Sequence, residues 1–137
     1  MAKAKKVKQL SFVMPNKVGL LAAISAAVAD ANVNITAICA YGMGKKAYVM
    51  LLTENNTKAK KALGSLKVKV EEEDVISVEI PHKVGELEKV AKRIADAGID
   101  IIYMYGTAGA GKSSTGVLKT ENDNKAIKAV NKIEYSK

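Results

Sequence analysis

The feature that most constrains this chain is that it repeats itself. Pro15-Asn-Lys-Val-Gly-Leu-Leu21 returns 66 residues later as Pro81-His-Lys-Val-Gly-Glu-Leu87. At the same offset, Val28-Ala-Asp-Ala-Asn-Val-Asn-Ile35 returns as Ile94-Ala-Asp-Ala-Gly-Ile-Asp-Ile101. Thr53-Glu-Asn55 comes back as Thr120-Glu-Asn122 at an offset of 67, so one residue is inserted between the blocks. Self-similarity at a fixed period means that one supersecondary unit is built twice. The expected division is a first domain over 1–73, with a basic N-terminal tail, and a second over 74–137. Units of roughly 65 residues bury a modest share of their surface and are marginal alone. Packing on each other or on a second chain would help both, so an oligomer is expected.

Each copy reads as strand, helix, strand, strand, helix, strand. Residues 8–14 and 75–80 are short runs rich in Val, Ile, Phe or Leu that end at Pro15 and Pro81, which cannot donate to a ladder. Leu21, Ile24, Val28 and Ala31 lie at helical spacing, as do Leu87, Val90, Ile94 and Ala97. Asn32 and Gly98 follow, and these residue types best tolerate the left-handed conformation that ends a helix. Strands are expected at 33–42 and 99–106, then at 47–53 and 114–120, with helices opening near the N-caps Asn55 and Asn122. Short strands at 67–71 and 133–135 would close the units. The fold class is therefore α+β: two tandem ferredoxin-like βαββαβ domains, each an antiparallel four-stranded sheet with both helices on one face. Tyr48–Leu52 and Ile101–Tyr105 are apolar on both sides, so the second sheet face must also meet something. A homodimer in which sheets or sheet edges meet is the expected assembly.

Trp is absent and Phe12 is the only Phe, so the core must come from Val, Ile, Leu, Ala and Met. The basic start carries no signal-type hydrophobic stretch, and the apolar run Val18–Ala29 is too short to cross a bilayer. Cys39 is the only cysteine, which excludes an internal disulfide and fits a reducing cytoplasm. A buried inert thiol and a reactive exposed one both fit the sequence. The net charge of +8 divides unevenly: residues 1–70 hold 12 Lys against Asp30 and Glu54, and residues 71–137 hold 10 basic against 12 acidic residues. Solvated lysine faces, attraction between the halves and nucleic-acid binding all follow from such a balance. The acidic stretch Glu71–Asp74 reads as a solvated junction rather than a metal site.

Gly106-Thr-Ala-Gly-Ala-Gly-Lys112-Ser113 satisfies the phosphate-loop pattern, yet a strand-like run follows it where the mechanism needs a helix N-terminus. A hairpin turn is expected there. RNA-recognition domains share the βαββαβ pattern and stack bases on sheet aromatics, and Phe12 and Tyr48 lie on the first and third strands. The aromatic-rich signature of those domains is missing, so a basic module binding RNA or another polyanion is the alternative reading. His82, the only histidine, has no nucleophile or metal-ligand set around it in sequence, and a non-catalytic protein is expected. The loops Asn16-Lys-Val-Gly19 and His82-Lys-Val-Gly85 place a polar side chain and then a Gly at a helix N-terminus. Free amides and the helix dipole there favour an anion such as a carboxylate. Asn34 and Asp100 open the next strand, expected on the same edge of the domain, and could accept from an ammonium group. Carboxylate and ammonium together describe a free amino acid; a capped helix and a polar strand end describe the same residues without one.

These residues resemble the ACT domain, the small regulatory module with which many amino-acid-metabolising enzymes sense amino acids. Its hallmark is (D/N)-x-P-G-L-L, followed after the helix by G-(I/V)-N-I. Asn16–Leu21 with Asn32–Ile35 fits, except that Val18 replaces Pro and Asn32 replaces Gly. His82–Leu87 with Gly98–Ile101 fits less well, because His82 and Asp100 depart from the pattern. The Lys8-Gln-Leu-Ser and Ile102–Tyr105 segments also look like stand-alone tandem-ACT proteins. The resemblance implies a regulatory protein that binds a free amino acid between ACT domains and signals to a partner enzyme or regulator. It places Asn16, Lys17, Val18, Gly19, Leu20 and Leu21 around one end of the ligand, with Asn34 and Ile35 contributed by a paired domain. His82, Gly85 and Asp100 are the corresponding residues of the second copy, where Tyr103 and Tyr105 would serve packing. It implies no cofactor, metal, membrane or nucleic-acid partner.

Overall fold

A computed structural model describes residues 2–108 and 111–132. These residues form, in order, β1 (Lys3–Pro15), α1 (Leu20–Asp30), β2 (Ile35–Met43), β3 (Lys46–Thr53), α2 (Asn56–Leu63), a 3-10 turn (Gly64–Leu66), β4 (Glu71–Pro81), α3 (Glu86–Asp96), β5 (Ile101–Ala108), β6 (Ser113–Thr120) and α4 (Asp123–Asn131). They divide into two compact units. One is Lys8–Glu73; the other joins the residues up to Val7 with those from Asp74 onward.

In the first unit the strand order is β2-β3-β1, with the opening of β4 beside β1. Both β1–β3 and β2–β3 are antiparallel, with Phe12 opposite Val49 and Tyr41 opposite Tyr48. Strand alternation sends Leu10 and Phe12 to one face, where they pack with Val49 and Leu51 against Leu20, Ile24, Val28, Ala59 and Leu63 from the helices. Each large side chain so buried is worth roughly 1.5–3 kcal/mol. The buried stripe of α1 runs Leu20–Ile24–Val28 at spacing i, i+4, i+8, whereas Leu21, expected in the core, is half exposed. Leu20 follows Gly19 directly and takes the first inward position, which turns Leu21 about 100° away. The helix ends as expected: Asn32 adopts φ 59°, its N–H donates to Ala29 O and that of Val33 to Val28 O. Asn55 caps α2 by accepting from Lys58 N at 3.1 Å, and Asn122 caps α4 in the same way through Lys125 N.

The expected strand at 67–71 is displaced. Lys67 turns left-handed at φ 57° to end the 3-10 turn, Val70 packs into the core, and the strand begins only at Glu71. The run Glu71–Asp74 is therefore strand rather than solvated junction. Side-chain alternation turns Glu73 toward β1, where its carboxylate accepts from Gln9 Nε2 and Ser11 Oγ, each at 3.2 Å.

In the second unit the order is β4-β6-β5, antiparallel, and residues Lys3–Val7 of β1 lie beside β4. The basic segment expected as a tail of the first domain is thus the fourth strand of the second unit. Ala2 and Ala4 enter its core with Ile76, Val78, Ile80, Val90, Ile94 and Leu118. The Asn131 side chain holds the segment, accepting from Ala4 N at 2.8 Å and donating to Ala4 O at 3.0 Å. The strand expected at 133–135 lies outside the described residues. Leu87, also expected in the core, is half exposed, while Val90 and Ile94 are buried.

This exchange of segments removes the charge asymmetry of the linear halves. Lys8–Glu73 carries nine Lys against five acids, and the remainder thirteen basic residues against nine acids, so each unit has a formal charge of +4.

Candidate functional site

The first loop is built where β1 ends. Pro15 cannot extend the ladder, and the next amide, Asn16 N, donates to Lys45 O at 2.8 Å, tying the loop to the β2–β3 hairpin. Gly19 stands at the N-cap of α1 with φ 87°, a conformation that glycine adopts at no steric cost. No side chain caps this terminus and no acidic residue occupies its first turn; Leu20 N donates to Lys17 O at 3.3 Å, and the amides after it, with the dipole, remain directed at the loop. Leu20 anchors the loop in the core, and Val18 is fully exposed. A hollow of about 280 Å³ lies here, lined from the loop by Asn16, Lys17, Gly19, Leu20 and Leu21 and from β2 by Ala40, Tyr41 and Gly42. The Asn16 amide lies over Gly42, so close that a Cβ there would sit 2.5 Å from Asn16 Nδ2.

Asn34 and Ile35 are not in this hollow. Pro15 and Met43 both stand opposite Lys46, whereas Ile35 stands opposite Thr53. Seven residues of antiparallel strand at about 3.4 Å each put Asn34 some 24 Å from the loop, at the other end of the sheet. The expectation of a shared edge is corrected: α1 carries the chain back along β1, so the strand after it opens at the far end. Asn34 Nδ2 donates there to Glu54 Oε1 at 3.2 Å, and Glu54 N to Asn34 O.

The second loop repeats the frame with different chemistry. His82 N donates to Lys112 O at 2.9 Å, and Gly85 takes φ 88°. The first turn of α3, however, contains Glu86 and Glu88. Glu86 accepts from Lys89 Nζ at 2.7 Å, and this hydrogen bond holds its carboxyl below the usual carboxylate range. The second hollow is about 500 Å³ and includes His82, Lys83, Leu87 and Tyr105, while Gly85 does not line it. Asp100 again stands at the far end, exchanging backbone and side-chain bonds with Glu121.

Other motifs resolve by geometry. Ser113 opens β6 directly after Lys112, and β6 pairs antiparallel with β5, so a strand and no helix follows the phosphate-loop match; residues 109–110 of the expected turn lie outside the described residues. Phe12 is buried beneath the helices, on the opposite face from Tyr48, which stacks on Tyr41 at 5.4 Å. The pair proposed for base stacking therefore does not share a surface. Among the described residues there is no cluster of three potential metal ligands, and no helix is long and apolar enough to cross a membrane.

Gly42, Ala40, Tyr41 and Glu54 escaped the sequence reading. Gly42 and Ala40 are recognisable only through strand register, which sets Gly42 beneath Asn16 and brings Ala40 to the same hollow; Glu54 would have followed from pairing the start of β2 with the end of β3.

The family model for the ACT domain matches residues 8–69. Residues 8–69 are an ACT domain. No curated protein sequence matches it. Among solved structures, protein BT0572 from Bacteroides thetaiotaomicron is 28% identical, with a TM-score of 0.87 over 96% of this chain and 90% of that one. The ligand-free regulatory subunit of aspartate kinase from Thermus thermophilus superposes with a TM-score of 0.68 at 16% identity, over 94% and 95% of the two chains. The corresponding subunit from Thermus flavus gives 0.63, also at 16%, over 95% of each. Both share the fold of each unit of this chain.

Proposed function

We propose that this protein is a non-catalytic sensor of a free amino acid. ACT domains are regulatory, amino-acid-binding modules, and the observation that carries the reading to particular residues is the uncapped, acid-free N-terminus of α1 opening on the hollow beneath Asn16. The ligand carboxylate rests on the α1 amides and Asn16 Nδ2. Its ammonium group is met by the Asn34 oxygen and the Glu54 carboxylate of a second ACT-type unit, because the 24 Å between the two ends rules out a single unit closing both sides. A homodimer brings two such units together, and occupancy of the joint is the signal read by a partner enzyme or regulator. In the second unit Glu86 and Glu88 already complement the dipole of α3, so the first loop is the stronger carboxylate site.

A thermal-shift screen of the full chain against the twenty amino acids tests this. A ligand that binds only the folded state adds about 2.7 kcal/mol at a hundredfold excess over its dissociation constant. In a domain this small, that is a shift of roughly ten degrees or more. Asn34→Ala should remove the shift while leaving the unliganded melting point nearly unchanged. Gly19→Ala should remove it too, at a cost of about 1–2 kcal/mol from the positive φ. If no amino acid at millimolar concentration moves the transition, the sensor reading fails; a salt-dependent shift with a short RNA would then establish the polyanion alternative.

A further inference from the structure

We infer that the open face of the first unit's sheet is a self-association surface, covered by the same face of a second copy of this chain. Phe12, Ala47 and Val49 point to the helices, so strand alternation turns Val13, Lys46 and Tyr48 to the other face. Register places Tyr41 opposite Tyr48 and Tyr48 opposite Val13, and the two rings stack at 5.4 Å. Three apolar side chains thus make one continuous row across β2, β3 and β1. The row is open to solvent: Tyr41 is 47% exposed and Val13 46%, with Met43 at 61% in the next row. A hollow of about 470 Å³ lies over it, lined also by Ser11, Lys69, Glu71 and Glu73.

The repeat supplies an internal control. In the second unit the same register sets Thr107 opposite Thr115 and Thr115 opposite Glu79, and Ser113 stands opposite Pro81 as Lys46 stands opposite Pro15. Glu79 accepts there from Ser113 Oγ at 3.1 Å, so the matching row is polar throughout. Both sheets are built on one plan, and the fold therefore does not require aromatic rings at these positions. An exposed Val beside two tyrosines has the composition of an interface core. The rim decides what covers it. Lys46 stands one row beyond Tyr48, Lys69 and Glu71 lie 3.8 Å apart at the hollow, and Glu73 is held by Gln9 and Ser11. A polyanion would meet Glu71 and Glu73, and a partner of either single sign would leave the other unmatched. A second copy matches both, because a two-fold axis brings each residue of the patch to its own counterpart surface. This face is turned away from the hollow at Asn16, which is floored by Leu20 and Ile24 on the helix side, so the inference does not rest on an amino acid bound there.

Sedimentation equilibrium of the full chain at micromolar concentration is the test. The parent should self-associate. Val13→Glu combined with Tyr48→Thr gives this row residues of the second unit's row; it should halve the assembled mass, with association weakened about a hundredfold or more, since each change acts twice across a two-fold. The circular dichroism spectrum should be kept. Lys46→Glu and Glu71→Lys leave the apolar row intact and serve if the first variant misfolds. Each shifts the rim toward one sign and should weaken self-association, and mixing the two should restore it as a heterodimer. The inference is overturned if the parent is a monomer, if the folded row variant associates as the parent does, or if the mixed charge variants fail to pair. A single-stranded oligonucleotide that binds a monomeric parent but not Tyr48→Thr would assign the face to nucleic acid instead. The amino-acid thermal shift reads the loop at Asn16 separately: its absence sinks the sensor reading and leaves this surface standing.

Discussion

Replacing Gly42 by Ala isolates the first loop from the fold that carries it. Gly42 lies on β2 opposite Ala47, and its φ is not positive, so an Ala there is free of backbone strain. The new methyl would sit 2.5 Å from Asn16 Nδ2 and 3.2 Å from its Cγ, and only that side chain has to move. Removing a glycine from a strand gains about 0.5–1 kcal/mol, so the unliganded protein should melt at the same temperature or a few degrees higher. A hydrogen bond to a charged group is worth about 1.5–3 kcal/mol, so displacing Asn16 from a bound carboxylate should weaken affinity roughly 10- to 150-fold. Titration calorimetry with the amino acid found by the screen reads the affinity, and scanning calorimetry of the same samples reads the fold. Asn16→Ala should cause a comparable loss, and adding Gly42→Ala to it should cost little more, since both remove one interaction. Unchanged affinity in Gly42→Ala would refute the role of Asn16. A fall in the unliganded melting point matching the loss of binding would show that the variant acts through the fold.

Two further substitutions test the architecture. Asn131→Ala strands the Ala4 amide and carbonyl, which should cost about 1–3 kcal/mol and expose the N-terminal strand to hydrogen exchange ahead of the rest of the second unit; unchanged exchange at Ala4 would contradict its place there. Asp123→Ala removes the acceptor of Thr120 N, Thr120 Oγ1 and Lys119 Nζ and should cost about 2–3 kcal/mol, whereas Asp123→Asn keeps an acceptor and should cost about 1 kcal/mol or less, as read by denaturant unfolding.

What the sequence made legible was local. The caps Asn55 and Asn122 and the left-handed helix ends at Asn32 and Gly98 are decided by neighbours within a few residues, and the repeat names each of them twice. Residues 3–7 escaped notice because the inward positions of that strand are Ala2 and Ala4, whose small side chains between lysines give almost no periodic apolar signal. The loop residues Asn16 to Leu21 were legible as a helix N-terminus, and their hollow is there. The distance from them to Asn34 was not, because it follows from strand direction and register, which motif spacing does not encode. The same blindness joined Phe12 to Tyr48: register sets Val13 opposite Tyr48, one residue away, and so turns Phe12 inward.

The two units also differ in a way that separates structural from functional change. Where the second helix meets the first central strand, the first domain uses one amide: Asn56 accepts from Thr53 Oγ1 at 2.6 Å and donates to Lys8 O at 3.0 Å. The second unit has Asp123 at that place, and a carboxylate cannot donate. Lys119 makes up the deficit, donating to Asp123 at 3.2 Å and to Asp74 O at 2.8 Å, so both the acceptor and the tie to the strand survive. A joint this buried needs such compensation, since each stranded polar group costs about 1–3 kcal/mol. The loop positions Asn16 and His82 carry no such obligation, because solvent reaches them. Asn16 becomes His82 with no second substitution that restores the first arrangement, whereas Leu20 becomes Glu86 with Lys89 pairing it, and the buried Val49 becomes Gly116 with the Met104 methyl in the space of the lost side chain. Folding demands none of these three changes, and the last works against the hairpin it sits in. Their common effect is on what each hollow can hold.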